Sequence, residues 1–156
     1  MALEIERKFL VRSDAWRADA GEASGLRQCY LATTDKASIR VRVIDDAAGR
    51  LTIKSSNTGV ERAEFEYTVP VDEALAMMTL SVGTPIEKVR HSVLVDGFVW
   101  EVDVFEGGNA GLIIAEVELE QADQEIVIPD WIGTEVTGDP KNYNSTLTFV
   151  PFSSWT

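Results

Sequence analysis

Acidic and basic side chains recur along this chain in doublets of one sign, two residues apart. The acidic doublets are Glu4 and Glu6, Glu64 and Glu66, Glu101 and Asp103, and Glu116 and Glu118. The basic ones are Arg40 and Arg42, and Lys88 and Arg90. Residues two apart on a β-strand share a face, so each doublet aims two like charges the same way. Such neighbours cost stability unless something of opposite sign lies between them. Clustered carboxylates are the ligands of hard divalent cations, and clustered Arg and Lys are those of phosphate oxygens. A surface carrying both suits a metal-polyphosphate complex.

The elements that must position these groups are strands read from their period of two. In residues 3–11, Glu4, Glu6 and Lys8 oppose Ile5, Arg7, Phe9 and Val11. In 38–43, Ser38, Arg40 and Arg42 oppose Ile39, Val41 and Val43, and in 50–56 Lys54 opposes Leu51 and Ile53. In 61–70, Arg62, Glu64 and Glu66 oppose Ala63, Phe65, Tyr67 and Val69. Lys88 and Arg90 oppose Val89, His91 and Val93; Glu101 and Asp103 oppose Trp100, Val102 and Val104; Glu116, Glu118 and Glu120 oppose Ala115, Val117 and Leu119. A merely solvated face mixes in Thr, Ser and Gln, and here Thr and Ser are scarce. The pattern favours a barrel with charged faces inward and apolar faces outward beneath helices, the reverse of an ordinary small barrel.

The intervening segments fit a meander. Residues 12–21 are expected to form a short helix with Ser13 as N-cap and Gly21 as stop, and 25–32 a strand. "TTDK" and "DDAAG" are hairpin turns, and 71–80 is the best helix, with acidic residues in its first turn. Residues 85–107 are a hairpin turning at Asp96 and Gly97, 111–120 is the last long strand, and 137–156 is a turn-rich aromatic tail. His91 and Cys29 are expected to pack rather than to react.

Global numbers limit the functional classes. The chain has 156 residues, 45% hydrophobic and 26% charged, enough for one domain over 1–156 with a real core. A formal net charge of -12 argues against nucleic acid or an anionic membrane as partner. Cys29 is the sole cysteine, and neither a bilayer-length apolar run nor an apolar leader is present, so a cytoplasmic protein is expected.

The ordered set Glu4-x-Glu6-x-Lys8, Arg40-x-Arg42, Lys54, Arg62-x-Glu64-x-Glu66, Lys88-x-Arg90, "WEVDVF" and "AEVELE" resembles the CYTH domains, or triphosphate tunnel metalloenzymes, from residue 3 to "NYNSTL". The resemblance implies an α+β fold: an eight-stranded antiparallel closed β-barrel with a charged interior and a few short helices outside. It implies Mg²⁺ or Mn²⁺ held by Glu4, Glu6, Glu64, Glu66, Asp103, Glu116 and Glu118. It implies a phosphate cradle of Lys8, Arg40, Arg42, Lys54, Lys88 and Arg90, joined by Lys141. Lys8 and Tyr30 would form the pair that positions or deprotonates the attacking water, with Tyr30 as a plain packing aromatic the alternative. Arg62 and Glu120 stand either in the tunnel or at its mouth.

Two places depart from the family pattern. "DPKNYNS" has Asn142 where tyrosine is usual, and Cys29 stands where glycine is frequent. Family members hydrolyse inorganic triphosphate or thiamine triphosphate, or cyclise ATP as class IV-type adenylate cyclases. With no evident platform for a base or a thiamine, hydrolysis of tripolyphosphate to pyrophosphate and phosphate is the expectation. A non-catalytic polyphosphate- or nucleotide-binding module is the alternative of a different class, and a homodimer is left open.

Overall fold

The computed structural model describes residues 2–56 and 60–155. The expected domain over 1–156 also takes in Met1, residues 57–59 and Thr156, which lie outside the described residues. The strands are β1 (Ala2–Val11), β2 (Ala20–Thr33), β3 (Ala37–Ile44), β4 (Ala48–Ser55), β5 (Glu61–Val69), β6 (Val82–Val95), β7 (Phe98–Phe105), β8 (Ile113–Glu118) and β9 (Ile132–Glu135). Two short helices, α1 (Val71–Met77) and α2 (Asn144–Leu147), follow β5 and the tail turn.

Antiparallel pairing runs β5-β4-β3-β2-β6-β7-β8-β1, and β1 closes the ring on β5 through Ala2↔Glu64 to Ile5↔Glu61. Eight strands therefore form the expected barrel. The far end of β1 takes β9 as a further neighbour through Phe9↔Glu135 and Val11↔Ile132. Turn chemistry supports the hairpins: Asp96 and Gly97 have φ of 51° and 81°, the left-handed pair that matches the twist of two paired strands.

Each strand's apolar face points outward into one of two cores. Phe9, Trp16, Val93, Trp100, Val102, Val117 and Trp131 form the larger one. Cys29, Val41 and Val43 form the other beneath Ala74 of α1. His91 packs its ring against Trp16 at 5.0 Å, and both His91 and Cys29 are packing residues as expected. A third cluster corrects the picture of a wholly charged interior. Ile86, Phe105 and Ile114 have the inward parity of Lys88, Asp103 and Glu116, and with Leu112 they bury Leu147 of α2. One end of the barrel is thus filled by apolar side chains.

Three sequence expectations are corrected. Residues 12–21 form a single 3-10 turn, Ala15–Asp19, because β2 begins at Ala20 and pairs there with Val93, which leaves Gly21 in a strand. Tertiary pairing overrides the local helix signals, and Trp16 is fully buried beneath the turn. The last strand stops at Glu118, so Glu120 is exposed beyond the sheet. The four-residue β9 lies in a stretch where no strand was expected. No helix among the described residues is long and apolar enough to cross a membrane.

Candidate active site

Ring order turns the sequence pattern into two facing walls. Counted round the eight strands, β1 lies opposite β2, β5 opposite β6, and β8 opposite β3. Strands β5, β1 and β8 are neighbours and carry Glu64, Glu66, Glu4, Glu6, Glu116 and Glu118; β6, β2 and β3 are neighbours and carry Lys88, Arg90, Tyr30, Arg40 and Arg42. An acidic wall therefore faces a basic one across a cavity of about 140 Å³. Lys8 and Arg62 interrupt the acidic wall, and Lys54 and Glu101 line the strands that join the two.

The acidic wall is crowded. Lys54 Nζ lies 3.0 Å from Glu4 and 3.6 Å from Glu64; Lys8 Nζ lies 3.4 Å from Glu116 and 3.9 Å from Glu6; Arg62 lies 3.9 Å from Glu6. A hydrogen bond between the Glu4 and Glu64 carboxyl groups requires a proton between them. That bond, then burial and the Glu4 charge, push Glu64 up to about 7. Burial pushes Glu4 up as well, but the Glu64 bond and the Lys54 ammonium outweigh it and hold Glu4 at about 2. Burial and the Glu116 charge raise Glu6 to about 7, beyond what Lys8 and Lys54 can offset. Lys8 itself is buried, yet Glu116 and Glu6 outweigh that burial and keep its ammonium protonated.

The basic wall has the opposite excess. Arg90 is fully engaged: its guanidinium donates to Asp103 at 2.7 and 2.9 Å and pairs with Glu101 at 3.2 Å and Glu116 at 3.7 Å. Lys88 Nζ donates to Asp103 at 2.7 Å and to Asn144 Oδ1 at 3.0 Å. Burial, with Arg90 and Arg42 nearby, still outweighs Asp103 and pulls Lys88 down to about 7. Arg42 donates to Gln28 Oε1 at 2.7 Å, and Arg40 donates to Thr52 at 3.3 Å. Among the described residues neither Arg40 nor Arg42 has an ion-pair partner, and the Nε of Arg40 is buried without an acceptor. Burial and the charges of Arg40 and Arg90 bring Arg42 down to about 9.

Most of the expected site residues converge. Glu4, Glu6, Glu64, Glu66, Glu116, Glu118, Lys8, Tyr30, Arg40, Arg42, Lys54, Lys88 and Arg90 all line the cavity, and so does Arg62. Asp103 stands behind the wall: it is fully buried and gives both carboxylate oxygens to Lys88 and Arg90. Lys141 is outside altogether, exposed, with its ammonium 4.0 Å from the centre of the Trp155 ring. Side-chain length alone does not bring it in, because Asp139 caps its turn and aims it at the tail. Three residues were missed. Gln28 is fully buried, accepts from Arg42 and donates to Asn144 at 3.0 Å, so the two amides fix Arg42 and Lys88 together. Tyr143 lines the cavity beneath Lys8 and Arg62, whose charged groups lie 5.7 and 5.1 Å from its ring centre.

A divalent cation fits this donor set. Carboxyl groups close enough to retain a proton near neutrality are placed to exchange it for a hard cation. Among the described residues no three acidic, His or Cys side chains are gathered tightly enough to hold a metal by themselves. That suits an ion that takes one or two carboxylates and completes its shell with water and phosphate oxygens.

The CYTH domain model matches residues 2–146. An inorganic triphosphatase of Acetivibrio thermocellus is 44% identical over 156 residues, covering 99% of each chain. An inorganic triphosphatase of Nitrosomonas europaea is 39% identical over 149 residues, covering 92% of this chain and 95% of the relative. A crystal structure of an inorganic triphosphatase superposes with a TM-score of 0.67 at 36% identity, covering 95% of each chain.

Proposed function

The chain belongs to the CYTH domain family, and from that premise we propose that its cavity hydrolyses inorganic triphosphate to pyrophosphate and orthophosphate with Mg²⁺ or Mn²⁺. The single observation that carries the proposal is the pair of buried Arg40 and half-buried Arg42, without carboxylate partners among the described residues, facing a carboxylate wall that retains protons. A polyanion neutralises the first, and a divalent cation the second.

The residues divide the work by chemistry. Arg40 and Arg42 grip phosphate oxygens with paired N–H groups, while Lys54 and Lys88 act as point charges. Arg90, locked by Asp103 and Glu101, presents its remaining surface in one orientation. Glu4, Glu6, Glu64, Glu66, Glu116 and Glu118 would hold the cation, some through water; Asp103 serves it indirectly by orienting Lys88 and Arg90. A bound cation supplies charge neutralisation on the phosphate oxygens and a polarised water. Lys8, kept protonated by Glu116 and Glu6, orients the attacking water together with Tyr30, which lines the same cavity. The water oxygen bonds to a terminal phosphorus as the bridging P–O bond breaks and pyrophosphate leaves, and the water's protons end on the two phosphate products.

The test is a substrate panel read for orthophosphate, pyrophosphate and cyclic AMP. Tripolyphosphate should be consumed only with the divalent cation, and much faster than ATP, thiamine triphosphate or pyrophosphate. Cyclic AMP as the main product, or tight binding with no turnover, would contradict the proposal.

A further inference from the structure

Tyr143 has no place in the sequence pattern, yet its surroundings are specific. It precedes α2, the helix whose Leu147 fills the apolar end of the barrel, so its backbone is anchored by a packed element. Its carbonyl accepts from the N–H groups of Thr146 and Leu147 at 2.9 Å each, which fixes the residue against the barrel floor. Its ring lies under Lys8 and Arg62 and lines the cavity. Its hydroxyl oxygen is buried and has no hydrogen-bond partner among the described residues. Leaving a buried hydroxyl unmatched costs about 1–3 kcal/mol, so such groups are rare unless something else satisfies them. The same ring could have been supplied by phenylalanine without that cost.

We infer that the Tyr143 hydroxyl is a substrate-binding donor, giving a hydrogen bond to a non-bridging phosphate oxygen at the floor of the cavity, beside Lys8 and Arg62. This rests on the proposed binding of triphosphate in the same cavity. The chemistry is distinctive there. The phosphate-gripping groups of β3 and β6 are cations, whereas Tyr143 is a neutral donor beneath two cations that carboxylates already engage. A neutral donor adds a contact at that end without adding to the repulsion among Lys8, Arg62 and Lys54. It also ties recognition of the phosphate end to the seating of α2.

The test is Tyr143→Phe, with three readings on the full chain. The melting temperature without ligand should equal or exceed that of wild type, because an unmatched hydroxyl is removed. The rise in melting temperature with tripolyphosphate and Mg²⁺ should shrink. The kcat/KM for tripolyphosphate should fall roughly tenfold while that for a short analogue such as pyrophosphate changes less. Tyr143→Leu, which also removes the ring from Lys8 and Arg62, should lower stability and separates the two contributions. A Tyr143→Phe variant that binds and turns over tripolyphosphate like wild type would overturn the inference. So would one that melts well below wild type, since that would reveal a structural partner for the hydroxyl. If wild type does not hydrolyse tripolyphosphate but Tyr143→Phe still reduces its ligand-induced shift, the hydrolytic proposal fails and the binding role stands.

Discussion

At the scale of single residues, two ionic groups on inward strand faces, Asp103 of β7 and Arg42 of β3, call for opposite outcomes on substitution. Asp103 gives both oxygens to Lys88 and Arg90 and is wholly buried, so Asp103→Asn would take the ion-pair partner from buried Lys88 and leave Arg90 only Glu101 and Glu116. A broken buried pair costs about 3–5 kcal/mol, and a loss of that size is expected in chemical denaturation. Arg42 instead sits among Arg40 and Arg90 and bonds only the amide of Gln28. Arg42→Ala relieves repulsion as it removes that bond, and should melt at or near the wild-type temperature while losing most of the ligand-induced rise. Comparable destabilisation by both substitutions would mean that Arg42 is a structural cation. The sequence distinguished neither role. Parity put both residues on inward faces, but parity does not say how deep a residue lies or which cross-strand neighbour it meets. Register does: Arg90 lies directly opposite Asp103, and Arg42 opposite Gln28.

At the scale of elements, the strand faces were legible because a period of two is unforgiving: a slip of one residue would turn a charged face into the outer cores. Hairpin turns gave most neighbours as well. What the sequence did not carry was the closure of β1 on both β5 and β8, since pairing between distant strands leaves no local mark, and with it went the opposition of the two walls. β9 is four residues long with Gly133 in it, too short to display a period. Tyr143, Asn144 and Gln28 escaped because they are neutral residues whose importance comes only from where the tail and β2 place them. The walls have a consequence in pH. Glu6 is raised to about 7, so the native state binds more protons than the unfolded chain between about 4.5 and 7, and stability falls as pH rises through that range. Lys88 is lowered to about 7 from 10.5, so the native state binds fewer protons above 7, and stability rises with pH from there. Thermal melts of the ligand-free protein in chelator should pass through a minimum near neutrality. A maximum near pH 7 would contradict the two-wall electrostatics.

At the scale of the whole molecule, the apolar floor under α2, the outward cores and the opposing charged walls make one device: a rigid barrel that spends its interior on ions it cannot neutralise within itself. Neither wall is satisfied by one ligand. Tripolyphosphate alone meets the carboxylates of β5, β1 and β8, and a divalent cation alone meets the arginines of β3 and the Lys88 and Arg90 of β6. Bound together, each screens the other from the wall that repels it, so their effects on stability must be coupled. The decisive measurement is the thermal shift of the wild-type protein with Mg²⁺ alone, tripolyphosphate alone, and both. For the complex at about 100 times its dissociation constant the gain should approach about 2.7 kcal/mol, and it should clearly exceed the sum of the two separate gains. If the two separate shifts add up to the combined one, the walls do not cooperate in holding a metal-triphosphate complex, and the assignment of the cavity as its site is wrong.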